Sequence, residues 1–239
     1  MEVNDKRCLI TGISSDIGFA TAEELIVQGW KVFGTGRKNH EIASRLNEPY
    51  YKFIRADLSN YDHVVGLFSE LEPLDGLVLN AGFLKRTPIR FLNISDFEQM
   101  LEVNYKSNVY LINSLIKNRM LKDGSSVVFI GSMSAIKPTL GNSIYASMKA
   151  AISSFSKSLA LELAPKAIRV NTVLPGLIET KMTKDFIEDS KHNGHLSKYP
   201  LNRFGSPKDV SGLVTFLLSE KSEWLTGTEI PIDGGYSIA

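Results

Sequence analysis

The chain has 239 residues, 43% of them hydrophobic and 22% charged, with a formal net charge of +1. That length allows one large α/β domain or two small ones, and the near-neutral charge gives no electrostatic reason to expect nucleic acid or an anionic membrane as partner. No apolar run approaches the roughly 20 residues of a membrane span. The N-terminus, MEVNDKRCLITG, lacks the apolar core of a signal peptide, and the lone Cys8 excludes an internal disulfide; together these features point to a reducing, cytoplasmic setting.

Arg7 to Thr11 is a short apolar run ending at Gly12. The segment Thr11–Gly18 (TGISSDIG) follows, then an amphipathic run from Phe19 to Gln28 closed by Gly29. Lys31 to Gly36 is strand-like again, which makes a βαβ unit. Tyr51–Arg55 and Leu74–Leu79 are predicted strands, with a helix at His63–Leu71 between them. Ser95, with Glu98 three residues on, has the capping-box pattern, and the helix it opens is predicted to run to about Leu121. Asp123-Gly124-Ser125 is a turn before a strand at Ser126–Gly131. A long helix is predicted from Ser143 to Ala164, stopped by Pro165. A strand at Ile168–Leu174 ends in Pro175-Gly176. Thr180 to Tyr199 is polar and weakly patterned, a predicted mobile flap at about 180–204. Ser206, Pro207 and Asp209 start a last helix to about Ser219, and Glu229–Ile232 is a final short strand. The alternation implies one α/β domain spanning 1–239, a doubly wound, mostly parallel sheet with helices on both faces. Such sheets bind ligands beyond the carboxyl ends of their strands.

Residues with chemical potential follow the first six strands. Gly12 and Gly18 let the backbone turn tightly at a helix N-terminus, which suits a pyrophosphate but also suits a plain turn. After the second strand, Arg37 and Lys38 stand where an NAD site usually carries an acidic residue. Two cations there favour NADP(H) over NAD(H), because they can hold a 2′-phosphate; solvated loop residues are the alternative. Asp57 suits either an adenine contact or a turn, and Asn80-Ala81-Gly82 either a backbone laid against a cofactor or a strand-ending turn.

After the fifth strand comes Ser132, and thirteen residues later Tyr145, with Lys149 four further on. In a helix, i and i+4 share a face. An ammonium beside a phenol favours the phenolate, so Lys149 is expected to lower the Tyr145 pKa toward the working range of an acid–base catalyst. A nearby serine hydroxyl could hold a carbonyl or alcohol oxygen against that tyrosine. A surface pair is the plain alternative.

With these residues in order, the sequence resembles the short-chain dehydrogenase/reductase family over essentially its whole length. The motifs are TGISSDIG, Asp57-Leu58, Asn80–Gly82, Asn104 within VNYKSN, Ser132, Tyr145-Ala-Ser-Met-Lys149 and Pro175-Gly176. The closest general likeness is to reductases of 3-oxoacyl thioesters. The resemblance implies that Tyr145 is the general acid of reduction and Lys149 holds the nicotinamide ribose. It implies that Ser132 orients the substrate oxygen and Asn104 holds a water linking Lys149 to solvent. Without it, Asn104 reads as a mid-helix amide satisfied by backbone. It implies cofactor contacts at Gly12, Ser14, Ser15, Asp16, Ile17 and Gly18, at Leu58, Ala81 and Gly82, and at Pro175, Gly176, Ile178 and Thr180. Ser134 has the wrong spacing to Tyr145 for the catalytic serine.

Asp16 departs from the pattern, because the family usually has glycine there. An aspartate suits the helix start as an N-cap, yet it also sets a carboxylate near the expected pyrophosphate. The leading expectation is an NADPH-dependent reductase of a carbonyl. A reductase of a sugar, polyol or other small ketone is the alternative within the class. A catalytically silent NADP(H)-binding sensor or scaffold, motivated by Asp16, is the alternative outside it. By the same resemblance the chain forms a homodimer or homotetramer through its two central helices, to which Ile152, Phe155 and Leu159 could contribute, or else serve the core. His192 and His195 lack a carboxylate or cysteine partner and read as loop residues, with no metal site expected.

Overall fold

The computed structural model describes residues 5–38, 46, 49–192 and 194–239. Seven strands lie parallel in one sheet: β1 (Arg7–Thr11), β2 (Lys31–Gly36), β3 (Tyr51–Arg55), β4 (Leu74–Leu79), β5 (Leu121–Ile130), β6 (Arg169–Pro175) and β7 (Glu229–Ile232). Their order across the sheet is β3-β2-β1-β4-β5-β6-β7, so the winding reverses between β1 and β4. All strands run the same way, which gathers every carboxyl end at one edge. The alternation of side chains along each strand supplies both faces. Leu9, Phe33, Leu77 and Phe129 pack with Leu111, Leu115, Ile152 and Leu159. Ile10, Val32, Val78 and Val128 pack with Leu25, Val210, Val214 and Leu217 on the other side. These partners belong to α4 (Ser107–Lys117) and α5 (Ser143–Leu163) on the first face, and to α1 (Asp16–Val27) and α7 (Pro207–Leu218) on the second. With both faces covered, β6 is buried along its whole length, as a central parallel strand must be. Cys8 sits fully buried in the second layer, where burial pushes its thiol pKa up.

The helix starts differ from expectation because local side chains reach the backbone first. Helix α1 begins at Asp16 rather than Phe19; Ser15 is its cap and accepts from the Gly18 N–H at 3.1 Å. Helix α2 (Tyr61–Gly66) is capped by Asn60 and runs into a tight turn at Leu67–Ser69. Asn93, not Ser95, caps α3 (Ile94–Leu101), accepting from the Ser95 N–H and hydroxyl at 2.9 Å each. The expected helix to Leu121 is three pieces: α3, a π-helical turn at Glu102–Lys106, and α4, which ends before Arg119 enters the left-handed region at φ 55°. β5 starts at Leu121, and the predicted Asp123–Ser125 turn is an interruption inside it. Leu74 pairs with Leu121, but Gly76 already pairs with Ser126.

Ile152 and Leu159 are buried in the core and Phe155 packs against it, so these residues do not form an outer face. The segment 180–204 carries order of its own. It contains α6 (Lys184–His192) and a short turn at His195–Lys198. Its ends meet where Glu179 N–H donates to Gly205 O at 2.7 Å and Gly205 N–H to Leu177 O at 3.0 Å. Ile187, Tyr199, Phe204 and Tyr236 form a small core beneath it, with the Tyr199 and Tyr236 rings stacked at 5.0 Å. Those anchors are too far apart in the chain to show a helical period. Ser206 caps α7 as predicted, in a reciprocal pair with Asp209.

Candidate active site

A cavity of about 690 Å³ opens at the carboxyl edge of the sheet, spanning the β1/β4 reversal. The residues after six strands converge on it: Gly12, Ser14, Ser15, Asp16 and Ile17; Arg37; Asp57 and Leu58; Asn80, Ala81 and Gly82; Ser132, Tyr145 and Lys149; and Pro175, Gly176, Ile178 and Thr180. Lys38 lines an adjoining cavity instead. Gly18 and Asn104 stand behind the lining rather than in it.

The turn after β1 is built by close approach. Gly12 has φ +64°, and a Cβ on it would lie 2.9 Å from the Ala81 Cα. Asn80 staples the two strand ends together. Its amide donates to Thr11 O, Gly12 O and Ser15 Oγ at 2.9, 3.0 and 2.9 Å, while the Thr11 hydroxyl accepts from Asn80 and Ala81 N–H groups at 2.9 Å each. Asn80 therefore lines the cavity with an amide already engaged by the turn. The N-terminus of α1 faces the same cavity, and its unpaired N–H groups and dipole favour an anion there. Asp16 is the first helical residue, and its Oδ2 accepts from the Lys181 N–H at 2.8 Å. The carboxylate thus reaches across to the start of the 180–204 segment. Thr180 is held there too, its hydroxyl 2.9 Å from that of Thr183.

At the other end, Ser132 and Tyr145 line the cavity together, with Ser132 near enough to act on the Tyr145 phenol. Lys149, only 4% exposed, donates to Ile130 O at 2.7 Å. An ammonium has three donors, and this backbone carbonyl takes one. The Lys149 Nζ lies 5.6 Å from the Tyr145 ring centroid, over the ring. The expected lowering of the tyrosine is reversed. Burial pushes the Tyr145 phenol up to about 12, opposed by the Ser132 hydrogen bond, and burial pushes Lys149 down to about 8. A phenol kept protonated is a proton donor, and an amine near 8 exchanges its proton at working pH.

Asn104 is fully buried in the π-helical turn. Its amide donates to Phe83 O at 3.0 Å and Met100 O at 2.9 Å, and its Oδ1 accepts from Phe83 N–H at 3.2 Å. Its own carbonyl accepts from the Asn108 amide at 2.9 Å. The side chain is thus satisfied by backbone, and it pins the segment after β4. A Cβ on Gly82 would meet Asn104 Oδ1 at 2.7 Å and Lys149 Nζ at 3.6 Å, so only glycine lets these elements close up. Ser134 accepts from the Asn142 amide at 2.9 Å and supports the loop.

The cavity also contains residues that sequence reading did not single out. Phe83, Gln99, Val103 and Thr183 line it, alongside Met182 of the expected flap. Gln99 and Val103 are four apart, the first in α3 and the second in the π-helical turn that follows it. His195 sits among Phe186, Tyr199 and Tyr236, and burial with nearby Lys198 and Arg86 lowers its pKa. The His192 side chain lies outside the described residues. Among the described residues no three His, Cys, Asp or Glu side chains converge on a metal position, and no helix is long and apolar enough to cross a membrane.

A family model described as Enoyl-(Acyl carrier protein) reductase matches residues 12–237. A 3-oxoacyl-(acyl-carrier-protein) reductase FabG from Rickettsia bellii is 32% identical over 237 residues, with 98% of each chain covered. Among solved structures, a short chain dehydrogenase family protein from Francisella tularensis superposes with a TM-score of 0.89 at 34% identity, covering 99% of this chain and 100% of the other. An aldohexose dehydrogenase from Thermoplasma acidophilum superposes with a TM-score of 0.88 at 30% identity, covering 100% and 96%.

Proposed function

Because the chain belongs to the short-chain dehydrogenase/reductase family, NAD(P)-dependent oxidoreductases acting on CH–OH or C=O groups, we propose that it reduces the ketone of a 3-oxoacyl thioester with NADPH. The observation that carries this reading is that Ser132, Tyr145 and a buried Lys149 share one cavity with the glycine turn of β1. The residues present fit a dinucleotide: Gly12, Ala81 and Gly82 line the cavity with backbone and no bulky side chain, and the α1 N-terminus suits a pyrophosphate. Lys149 has N–H donors beyond the one given to Ile130, which suit ribose hydroxyls.

When bound, NADPH would supply the hydride to the carbonyl carbon. Tyr145 gives its proton to the carbonyl oxygen, and Ser132 donates a hydrogen bond to the same atom. Loss of that proton leaves an anion on Tyr145, which an ammonium over the ring stabilises. Lys149 then returns a proton, and Asn104 is assigned to the path behind it, through its place against Gly82. Leu58, Ala81, Pro175, Gly176, Ile178 and Thr180 are assigned to the cofactor's walls. The segment 180–204 is assigned as the substrate flap of a single domain, with Met182 and Thr183 facing the cavity.

The thioester reading is supported by the relative named as a 3-oxoacyl reductase, and a second reading, a sugar or polyol, by the aldohexose dehydrogenase. A panel of acetoacetyl thioesters, aldoses and polyols followed by nicotinamide absorbance decides between them. Turnover of the sugars alone would replace the first reading with the second, and a preference for NADH would remove the NADPH assignment.

Asp16 should weaken the dinucleotide slightly, since like charges near water repel by about 1 kcal/mol or less. Asp16→Asn keeps an oxygen for the Lys181 N–H and removes the charge. It is expected to tighten NADPH binding by about two- to fivefold in a fluorescence titration; equal or weaker binding would show that the carboxylate does not repel the cofactor. We also propose a homodimer or homotetramer through the outer face of α5, where Ala150, Ala151 and Leu161 are exposed. A monomeric mass by light scattering would refute it.

A further inference from the structure

The adjoining cavity, about 830 Å³, is lined by Ser14, Arg37, Lys38, Arg55, Asp57 and His63. Arg37 and Lys38 follow β2, where a 2′-phosphate partner is looked for in sequence. Arg55 comes from the next strand. Parallel pairing sets its Cα opposite Gly36, so Arg55 leaves β3 beside the residue that precedes Arg37. Its Nε donates to the Arg37 carbonyl at 3.2 Å. One residue on, the Ala56 N–H donates to Gly36 O at 3.0 Å. The loop that carries Arg37 is therefore tied to β3 at two successive peptides.

That bond also orients the guanidinium. An arginine that donates through Nε keeps four N–H groups on its two terminal nitrogens, the edge that grips phosphate oxygens in a fork. Asp57 is the carboxylate in this lining, and it is turned to Ser59, accepting from its hydroxyl at 2.7 Å and its N–H at 3.1 Å. Ser59, then Arg37 and His63, hold it ionised by lowering its pKa. Three cations thus face the cavity against one tethered anion. A phosphate monoester carries close to two negative charges at neutral pH and three strong acceptor oxygens, which matches this surplus.

We propose that Arg55 is a specificity-determining residue for the cofactor, gripping the 2′-phosphate of the adenosine ribose together with Arg37 and holding the Arg37 loop in register to do so. The proposal rests on the NADPH reading above. Arg55 is exposed at a strand end, so its replacement leaves the core untouched.

The test is direct binding of NADPH and of NADH, by nicotinamide fluorescence at fixed ionic strength, to the parent, Arg55→Gln and Arg55→Lys. Arg55→Gln is expected to raise the NADPH Kd about tenfold and the NADH Kd less than about twofold, as for loss of one charge-assisted phosphate contact. Arg55→Lys keeps the charge without the fork and is expected to fall between, at about threefold. If Arg55→Gln keeps the parent's NADPH-to-NADH ratio, or weakens both cofactors equally, Arg55 only supports the loop and the proposal is overturned while the NADPH reading stands. A parent that binds both cofactors equally overturns both.

Discussion

Tyr145→Phe is expected to lower kcat for carbonyl reduction by about 10³, in the middle of the 10²–10⁴ range for a positioned general acid, while the NADPH Kd changes less than about twofold. The phenylalanine keeps the ring that packs near Lys149 and removes only the hydroxyl. That hydroxyl is the proton donor best placed in the cavity, and burial keeps it protonated, its pKa pushed up to about 12. The split between kcat and cofactor binding is the informative part. A scaffolding role for Tyr145 would move both, and a variant reducing a verified ketone as fast as the parent would remove Tyr145 from the chemistry.

Lys149→Met carries the second large effect, and it has two signs. Activity should fall by about 10² or more, because the variant loses both the charge that stabilises the deprotonated tyrosine and the donors assigned to the ribose; unlike Tyr145→Phe, it should weaken NADPH binding as well. The cofactor-free protein should nevertheless become more stable at neutral pH. Burial holds the Lys149 pKa at about 8 in the folded state, against an ordinary value of 10.5. Between those values the unfolded chain binds more protons, so the parent gains stability as pH rises through that window and is penalised below it. The shift corresponds to about 3 kcal/mol, reduced by about 1–2 kcal/mol for the Ile130 carbonyl left without its donor. Lys149→Met is therefore expected to raise stability at pH 7 by about 1–2 kcal/mol, with the advantage shrinking from pH 8 upward and turning into a deficit near 10.5. Urea unfolding across that range checks the sign. A variant less stable than the parent at pH 7 would show that the buried ammonium is well compensated within the protein itself. A gain in stability with a loss of function is what a strained site leads one to expect.

Much of the fold was legible because its strands are short apolar runs with clear punctuation. Lys31–Gly36 stands between Gly29-Trp30 and the cationic Arg37-Lys38, and Leu74–Leu79 between Pro73 and Asn80. Capping was less legible, because neighbouring polar residues compete for one backbone N–H. Asn93 reaches the Ser95 N–H two residues on, so the Ser95/Glu98 pattern never forms its box. The π-helical turn left no trace, since one extra residue in a turn barely disturbs a 3.6-residue period. The 180–204 segment looked unstructured because what anchors it, Tyr236, lies far along the chain.

For the site, the sequence by itself determined which groups meet. In a sheet wound all one way, every residue after a strand arrives at the same edge, so identifying the strands was enough to bring Gly12, Asn80, Ser132 and Pro175 together. Tyr145 and Lys149 added themselves by helical spacing. What only the tertiary structure decided is the state of those groups. Chain spacing promised an ammonium lowering a phenol; the fold buries both, gives the lysine to Ile130 on β5, and leaves the phenol protonated. Likewise Asp16, read as a cap, bonds to Lys181 across the cleft, and Arg55, an unremarked strand residue, lands beside Arg37. A pKa and a hydrogen-bond partner depend on depth and on neighbours from other elements, and those quantities exist only once the sheet has closed.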